Sequence, residues 1–240
     1  MVFKEDWEEK GTVIRFFRED YEAFQRAGIP VGLKPMPEAE HLIYRSSTIY
    51  HPEDYPADPR YVHTYDINDF YLKMHRYLPV IEDLSIPTFF VDNLDDKVVE
   101  EMERRGWKEA FIKKDAKALE AVEPGMSFYP RHSFEEMMEY FSEMRGEKYC
   151  IRQVMDAQYI FENDARYWVL NGRVYRRDNL PIPAIVTEAA RRLTEAGKGR
   201  YFTIDATPEF VIEVNPGESS DRHGENSAEL FASWFAKEFC

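Results

Sequence analysis

The 240-residue chain is poor in cysteine, in positive charge and in long apolar runs. Its two cysteines, Cys150 and Cys240, lie far apart and give no disulfide framework, so a reducing compartment, the cytoplasm, is expected. No stretch approaches the ~18 consecutive apolar residues of a membrane span, and the opening Met1-Val2-Phe3-Lys4-Glu5-Asp6 lacks a secretory apolar core. A membrane partner is therefore not expected. Lys and Arg number 31 against 45 Asp and Glu, a formal net charge of −14, which opposes non-specific attraction to nucleic acid phosphate or anionic lipid. Internal repeats and low-complexity tracts are also missing. The six histidines, His41, His51, His63, His75, His132 and His223, include no pair at i, i+4 spacing, and no Cys-x-x-Cys occurs, so neither a zinc site nor a Cys/His nucleophile is expected.

What is present is an aromatic-rich, foldable chain: 44% hydrophobic residues, with 15 Tyr and 17 Phe, enough for packed layers in one unit or two intimate subdomains. Thr12–Phe17 reads as a strand, followed by a helix from Asp20 to Ala27 that stops at Gly28, and His41–Tyr50 reads as a second strand. The proline-rich stretch 51–59 reads as loop, because each proline denies a ladder donor. It marks the end of an N-terminal α/β subdomain, 1–65.

From Asp66 a helical pattern carries Phe70, Leu72, Met74, Leu78 and Ile81, and a strand Thr88–Val91 follows Pro87. A helix Asp95–Arg105 ending at Gly106 leads to a strand Ala110–Lys113, and 115–132, with Pro124-Gly125, reads as a long loop. Phe134, Met137, Met138, Phe141 and Met144 recur on one helical stripe; methionines so spaced read as core filling. Tyr149–Val154 reads as a strand. Ala165–Leu170 and Arg173–Tyr175 form a hairpin across Asn171-Gly172, the dipeptide suited to a type I′ turn. Helices are expected at Ile185–Ala196, ending at Gly197, and over Leu230–Phe239.

The informative stretch is 201–217. Phe202, Ile204, Phe210, Ile212 and Val214 alternate with Thr203, Asp205, Glu213 and Asn215, the pattern of an amphipathic hairpin. With the turn near Pro208, Asp205 falls opposite Val211 and Thr203 opposite Glu213, so Asp205 is diagonal to Glu213 and Asn215 lies beyond on the same face. Two carboxylates and one amide oxygen suit Mg²⁺, which keeps room for substrate phosphates; a solvated acidic face is the plainer alternative. The strand runs into the turn-rich Pro216-Gly217-Glu218-Ser219-Ser220, which opens a place for ligand.

At Asp205 and Phe210-Val211-Ile212-Glu213-Val214-Asn215-Pro216-Gly217 the chain resembles the ATP-grasp superfamily, specifically its small RimK-like carboxylate–amine ligases. Phe111-Ile112-Lys113, Arg152-Gln153-Val154 and Asp164-Ala165-Arg166-Tyr167-Trp168-Val169 match, in order, the family's lysine strand, hinge strand and Asp-x-Arg hairpin. The resemblance implies an α+β ATP-grasp fold over 66–240, with a nucleotide lid at about 87–153 and a metal-binding part at about 154–240. It further implies Asp205, Glu213 and Asn215 on Mg²⁺, with Mn²⁺ as an alternative, Lys113 on ATP phosphates and Gln153 and Val154 at adenine. Asp164 is implied at the ribose, with Glu162 competing. Arg166 and Arg176, or Arg177 in place of the latter, would hold phosphate or acyl-phosphate oxygens, and Lys73 is a weaker second nucleotide lysine. The loop after Lys113 departs from the glycine-rich flap of many relatives.

The activity so implied is ATP-dependent formation of an amide or peptide bond through an acyl phosphate, with a small-molecule or peptide carboxylate and an amine as substrates and a protein acceptor as one option. Asp205→Asn and Glu213→Gln are expected to abolish turnover and leave the fold intact. A catalytically silent ATP-grasp binding module is the alternative, and a phosphotransferase the third. Acidity disfavours a nucleic acid acceptor, although Arg173, Arg176 and Arg177 form a local basic strip.

Overall fold

The computed structural model describes residues 1–6, 9–116, 128–142, 146–177, 180–222 and 227–240. The chain opens with β1 (Val2–Phe3), enters α1 (Arg18–Arg26) through a 3₁₀ turn at Arg15–Phe17, and returns as β2 (Tyr44–Arg45), parallel to β1. The strand expected at Thr12–Phe17 is therefore corrected. Val13, Ile14 and Phe17 are buried while Phe16 is 81% exposed, a helical rather than a two-residue rhythm. The strand expected over His41–Tyr50 shrinks to β2, because Leu42 turns its backbone to Arg60 and Val62 instead of a ladder.

α2 (Tyr65–Leu72) and α3 (Met74–Tyr77) replace the single expected helix; Lys73 breaks it at φ −101°, ψ 114°. β3 (Thr88–Val91), α4 (Asp96–Arg104), β4 (Ala110–Lys114), β5 (Phe128–Tyr129), α5 (Phe134–Phe141) and β6 (Tyr149–Gln153) follow. Asp95 caps α4 by accepting from the Lys97 amide, and Gly106, at φ +72°, supplies the left-handed exit. Ser133 and Glu136 form a capping box on α5, which buries Met137 and Phe141 as expected. Pro124-Gly125 and Met144 lie outside the described residues. The strands form an antiparallel sheet in the order β3-β6-β4-β5.

The remaining elements are α6 (Ala157–Asn163), β7 (Ala165–Leu170), β8 (Arg173–Tyr175), α7 (Ala184–Gly197), β9 (Tyr201–Ala206), β10 (Val211–Pro216) and α8 (Ala228–Phe239). α6 escapes a periodicity reading because none of its residues is buried; Asp156 starts it by capping the Gln158 and Tyr159 amides. The β7–β8 hairpin turns at Asn171 and Gly172, both at positive φ. α7 runs through Gly197 and ends on Lys198, the left-handed residue. Gly197 serves close packing instead: a Cβ there would meet Phe70 at 2.5 Å.

β10-β9-β7-β8 form a second antiparallel sheet, covered on both faces. Tyr167, Val169, Phe202 and Ile204 pack on α7 and α2–α3, whereas Trp168, Leu170 and Tyr201 pack on Phe24 of α1 and Phe231 and Phe235 of α8. Residues 1–45 thus share a core with the C-terminal helix. β9 and β10 form the expected hairpin, but every residue of β9 is buried, Thr203 and Asp205 included, so its polar face is not the solvated acidic face of the plainer alternative. The first sheet rests on its own cluster of Val98, Met102, Ile112, Met137 and Ile151.

Candidate active site

The hairpin that carries the carboxylates is held at its turn by Thr207, whose Oγ1 accepts from the Glu209 and Phe210 amides, each at 3.2 Å. Val211 pairs with Ala206, but an irregularity between Val211 and Glu213 shifts the register. Glu213 therefore pairs directly with Asp205 and Asn215 with Thr203, a correction of the diagonal placement expected from an unbulged turn. Because Arg166 pairs with Asp205 on the other side, Arg166, Asp205 and Glu213 form one row across three strands.

Arg166 grips Asp205 in a fork, Nε to Oδ1 at 2.7 Å and Nη2 to Oδ2 at 2.6 Å, and its Nη1 donates to Asp221 Oδ1 at 2.7 Å. Burial opposes its charge, but the Asp205 hydrogen bonds and the charges of Asp205, Asp221 and Glu213 outweigh this, and its pKa is raised. Asn215 Nδ2 lies 3.4 Å from Asp205 Oδ2 and 3.3 Å from Glu213 Oε2, so the three expected metal donors converge. Among the described residues no group of three or more His, Cys, Asp or Glu side chains is placed to hold a metal ion. A cation here has two carboxylates, the Asn215 amide oxygen and ligand oxygens to draw on, a donor set that fits Mg²⁺.

Across the cleft, Lys113 of β4 reaches Glu213 Oε1 with Nζ at 2.5 Å. Phe111, two residues earlier on the same face, pairs with Phe128 of β5 and with Arg152 of β6. These side chains, with Gln153, Val154 and Ile212, line a cavity of about 230 Å³ between the sheets. Gln153 and Val154 stand at the end of β6 in this mostly apolar slot, and Phe111 and Ile212 in its lining precede Lys113 and Glu213 on β4 and β10. Beyond Gln153 and Val154, expected at adenine, the lining of the slot went unread in the sequence, as did Asp221 as a second partner of Arg166; the inward aromatic pair Phe111 and Phe128 was the available signal for the slot.

Three expected site residues stand apart from this cluster. Lys73 pairs with Asp69 Oδ1 at 2.9 Å and with Glu147. Arg176 donates to the Tyr167 hydroxyl at 3.2 Å, on the sheet face opposite Arg166. Asp164 closes α6 and is exposed, and the competing Glu162 accepts from Gln158. His223, considered for substrate contact, lies outside the described residues.

No protein-family model matches the sequence, and no curated protein matches it. The folded chain is nevertheless similar to solved structures. It aligns with the D-cycloserine synthetase DcsG over 91% of this chain and 93% of that one, at a TM-score of 0.63 and 14% identity. The chain adopts the ATP-grasp fold. The macrocyclase MdnC of Microcystis aeruginosa MRC, solved with its precursor peptide MdnA, aligns over 97% of both chains at a TM-score of 0.59 and 10% identity. A RimK domain ATP-grasp protein of Sphaerobacter thermophilus DSM 20745 aligns over 93% of this chain and 96% of its own, at 0.55 and 14%. The chain spans 64% of the length of a larger one, the ATP-grasp ligase PsnB. The α+β architecture expected from the sequence is thus the architecture found, and among the described residues no helix is long and apolar enough to cross a membrane.

Proposed function

We propose that this ATP-grasp protein is an ATP- and Mg²⁺-dependent carboxylate–amine ligase of the RimK-like type, acting in the cytoplasm. The observation that carries the reading is the meeting of Lys113 with the Asp205–Glu213–Asn215 face, on the same strands β4 and β10 whose Phe111 and Ile212 line an apolar slot with Gln153 and Val154. A flat base fits the slot, and the polyphosphate then runs toward Lys113 and the carboxylates. Asp205, Glu213 and Asn215 would hold Mg²⁺, or Mn²⁺, which supplies charge neutralisation for the transferring phosphoryl group. Lys113 exchanges Glu213 for phosphate oxygens. Arg166 fixes the Asp205 carboxylate by its fork and bonds Asp221, and in the reaction it turns a guanidinium edge to phosphate or acyl-phosphate oxygens.

In the reaction a substrate carboxylate oxygen attacks the γ-phosphorus, the bond to the β–γ bridging oxygen breaks, and ADP leaves. The amine nitrogen then attacks the acyl carbon, the acyl–oxygen bond breaks, and phosphate leaves as the nitrogen gives up a proton. Protein groups position and neutralise charge rather than form bonds. The reading includes a lid at about 87–153, a metal-binding part at about 154–240 and an N-terminal subdomain at 1–65. Peptides are favoured substrates to try, because MdnC was solved with a precursor peptide.

A silent nucleotide-binding module is the second reading. It is favoured by the engagement of Arg166 with Asp205 and Asp221 and of Lys73 with Asp69 and Glu147. The test is Mg²⁺-dependent release of ADP and phosphate from ATP with amino acid and peptide pools, with Glu213→Gln as the blank. Stimulated release lost in the variant supports the ligase. Tight ATP binding without release supports the silent module, and no ATP binding removes both.

A further inference from the structure

Among the described residues three arginines are buried: Arg45, Arg152 and Arg166. Arg45 is paired with Asp20 at 2.7 Å and Arg166 with Asp205 at 2.6 Å. Arg152 is the exception. At 5% exposure it donates from Nε to Thr88 Oγ1 at 3.4 Å and from Nη2 to the Ile212 carbonyl at 2.8 Å, both neutral acceptors, and it forms no ion pair among the described residues. A buried cation without a counter-charge is costly unless something anionic completes its surroundings.

Its place in the sheet says where that anion belongs. The register sets Thr88, Arg152, Phe111 and Phe128 in one row across the lid sheet, and Cys150 and Lys113 in the next row on the same face. Arg152 therefore lines the apolar slot at the side next to Lys113. A nucleotide whose base fills the slot, and whose outer phosphates reach Lys113, brings its innermost phosphate past this guanidinium.

We infer that Arg152 binds the α-phosphate of the nucleotide, the cationic contact that Lys73, engaged by Asp69 and Glu147, does not make in this arrangement. The inference rests on the reading of the cavity as a nucleotide site and adds a residue to it. A planar guanidinium held at two neutral acceptors is already oriented to offer its remaining hydrogens to phosphate oxygens.

The test is calorimetric titration of the whole protein with adenosine, AMP, ADP and ATP. Arg152→Gln is expected to weaken AMP, ADP and ATP alike, by roughly ten- to a hundredfold more than it weakens adenosine. Arg152→Lys, which keeps a charge in the same wall, is expected to fall between; it carries the same comparison if the Gln variant does not fold. Unchanged AMP affinity in the variants overturns the inference, and so does an equal loss for adenosine, which would mark a role in base packing. If the wild-type protein binds ATP and the variants bind AMP normally, only the Arg152 assignment fails. If the wild-type protein binds none of the four, the nucleotide reading fails and this inference with it.

Discussion

The two four-stranded sheets face each other across the cleft, yet they are built differently. The sheet of β7–β10 has core on both faces, and its central strand β9 is buried at every residue. The sheet of β3–β6 has its own core on one face and presents Phe111, Lys113, Phe128 and Arg152 to the cleft on the other. Among the described residues the bonds that join the two include Lys113 to Glu213, Arg152 to the Ile212 carbonyl, and the Ile86 amide to the Val211 carbonyl at 3.4 Å. The carboxylates thus stand, with Arg166, on a platform fixed from both sides, and Lys113 and Arg152 stand on the part with less packing to hold it, where local opening is cheaper.

That contrast breaks first at the paired carboxylates. Asp205→Asn should cut phosphate release by more than about a hundredfold and also cost ~3 kcal/mol of stability, because it weakens the fork of a buried arginine. Glu213→Gln should lose turnover equally but cost under ~1 kcal/mol, since Lys113 and Glu213 are both partly exposed. Denaturant unfolding of the two variants decides, and equal stabilities would remove the distinction between the buried Arg166–Asp205 fork and the partly exposed Lys113–Glu213 pair. The same melts test the sequence-based expectation that both substitutions spare the fold.

Gly217→Ala sharpens the same point. A Cβ there would sit 2.1 Å from Tyr201 Cδ2, so overpacking of the platform should cost ~3 kcal/mol in a thermal or denaturant melt. If the variant is as stable as the wild type, the platform is softer than its packing indicates.

Cys150 reports the seam between the sheets. Burial raises its thiol from 9.0 to about 11. Since the folded state holds the proton more tightly, this contribution is complete below the unfolded value and is lost as pH rises from about 9 to about 11, on the order of 2 kcal/mol. Denaturant melts across that range should show the decline, with a smaller slope in Cys150→Ala, and a thiol reagent at neutral pH should label exposed Cys240 long before Cys150. Equal labelling would mean an open seam. The smallest effect is expected on the lid: Ser133→Ala removes one arm of the α5 capping box and should cost ~1 kcal/mol without changing ATP affinity. A marked loss of affinity would tie α5 to the cleft.

Elements with strong local signals were legible. The Asn171-Gly172 turn, the Asp95 start and Gly106 stop of α4, and the apolar stripe of α5 all follow from side-chain chemistry within a few residues. Elements decided by distant contacts were not. Residues 12–17 carry strand-forming side chains, but their burial partners impose a helical turn, and α6 forms on a cap with no buried stripe to announce it. In the site, the residue types Asp205, Glu213, Asn215 and Lys113 were readable and their convergence is seen. Arg176, or Arg177, was implied beside Arg166 by the family resemblance, and the alternation of β-strand faces brings Arg176 to Tyr167.

By itself the sequence determined which donors are available, an α+β order of elements, and the alternation that puts Asp205, Glu213 and Asn215 on one strand face, because these depend on side-chain type and a period of two residues. Only the tertiary structure decided the register, since one irregular residue at the start of β10 moves Glu213 from a diagonal to a direct partner of Asp205. It also decided which charges are paired. Arg45, Arg152 and Arg166 look alike in the chain, and their differing partners come from strands and helices brought together by packing over long sequence separations.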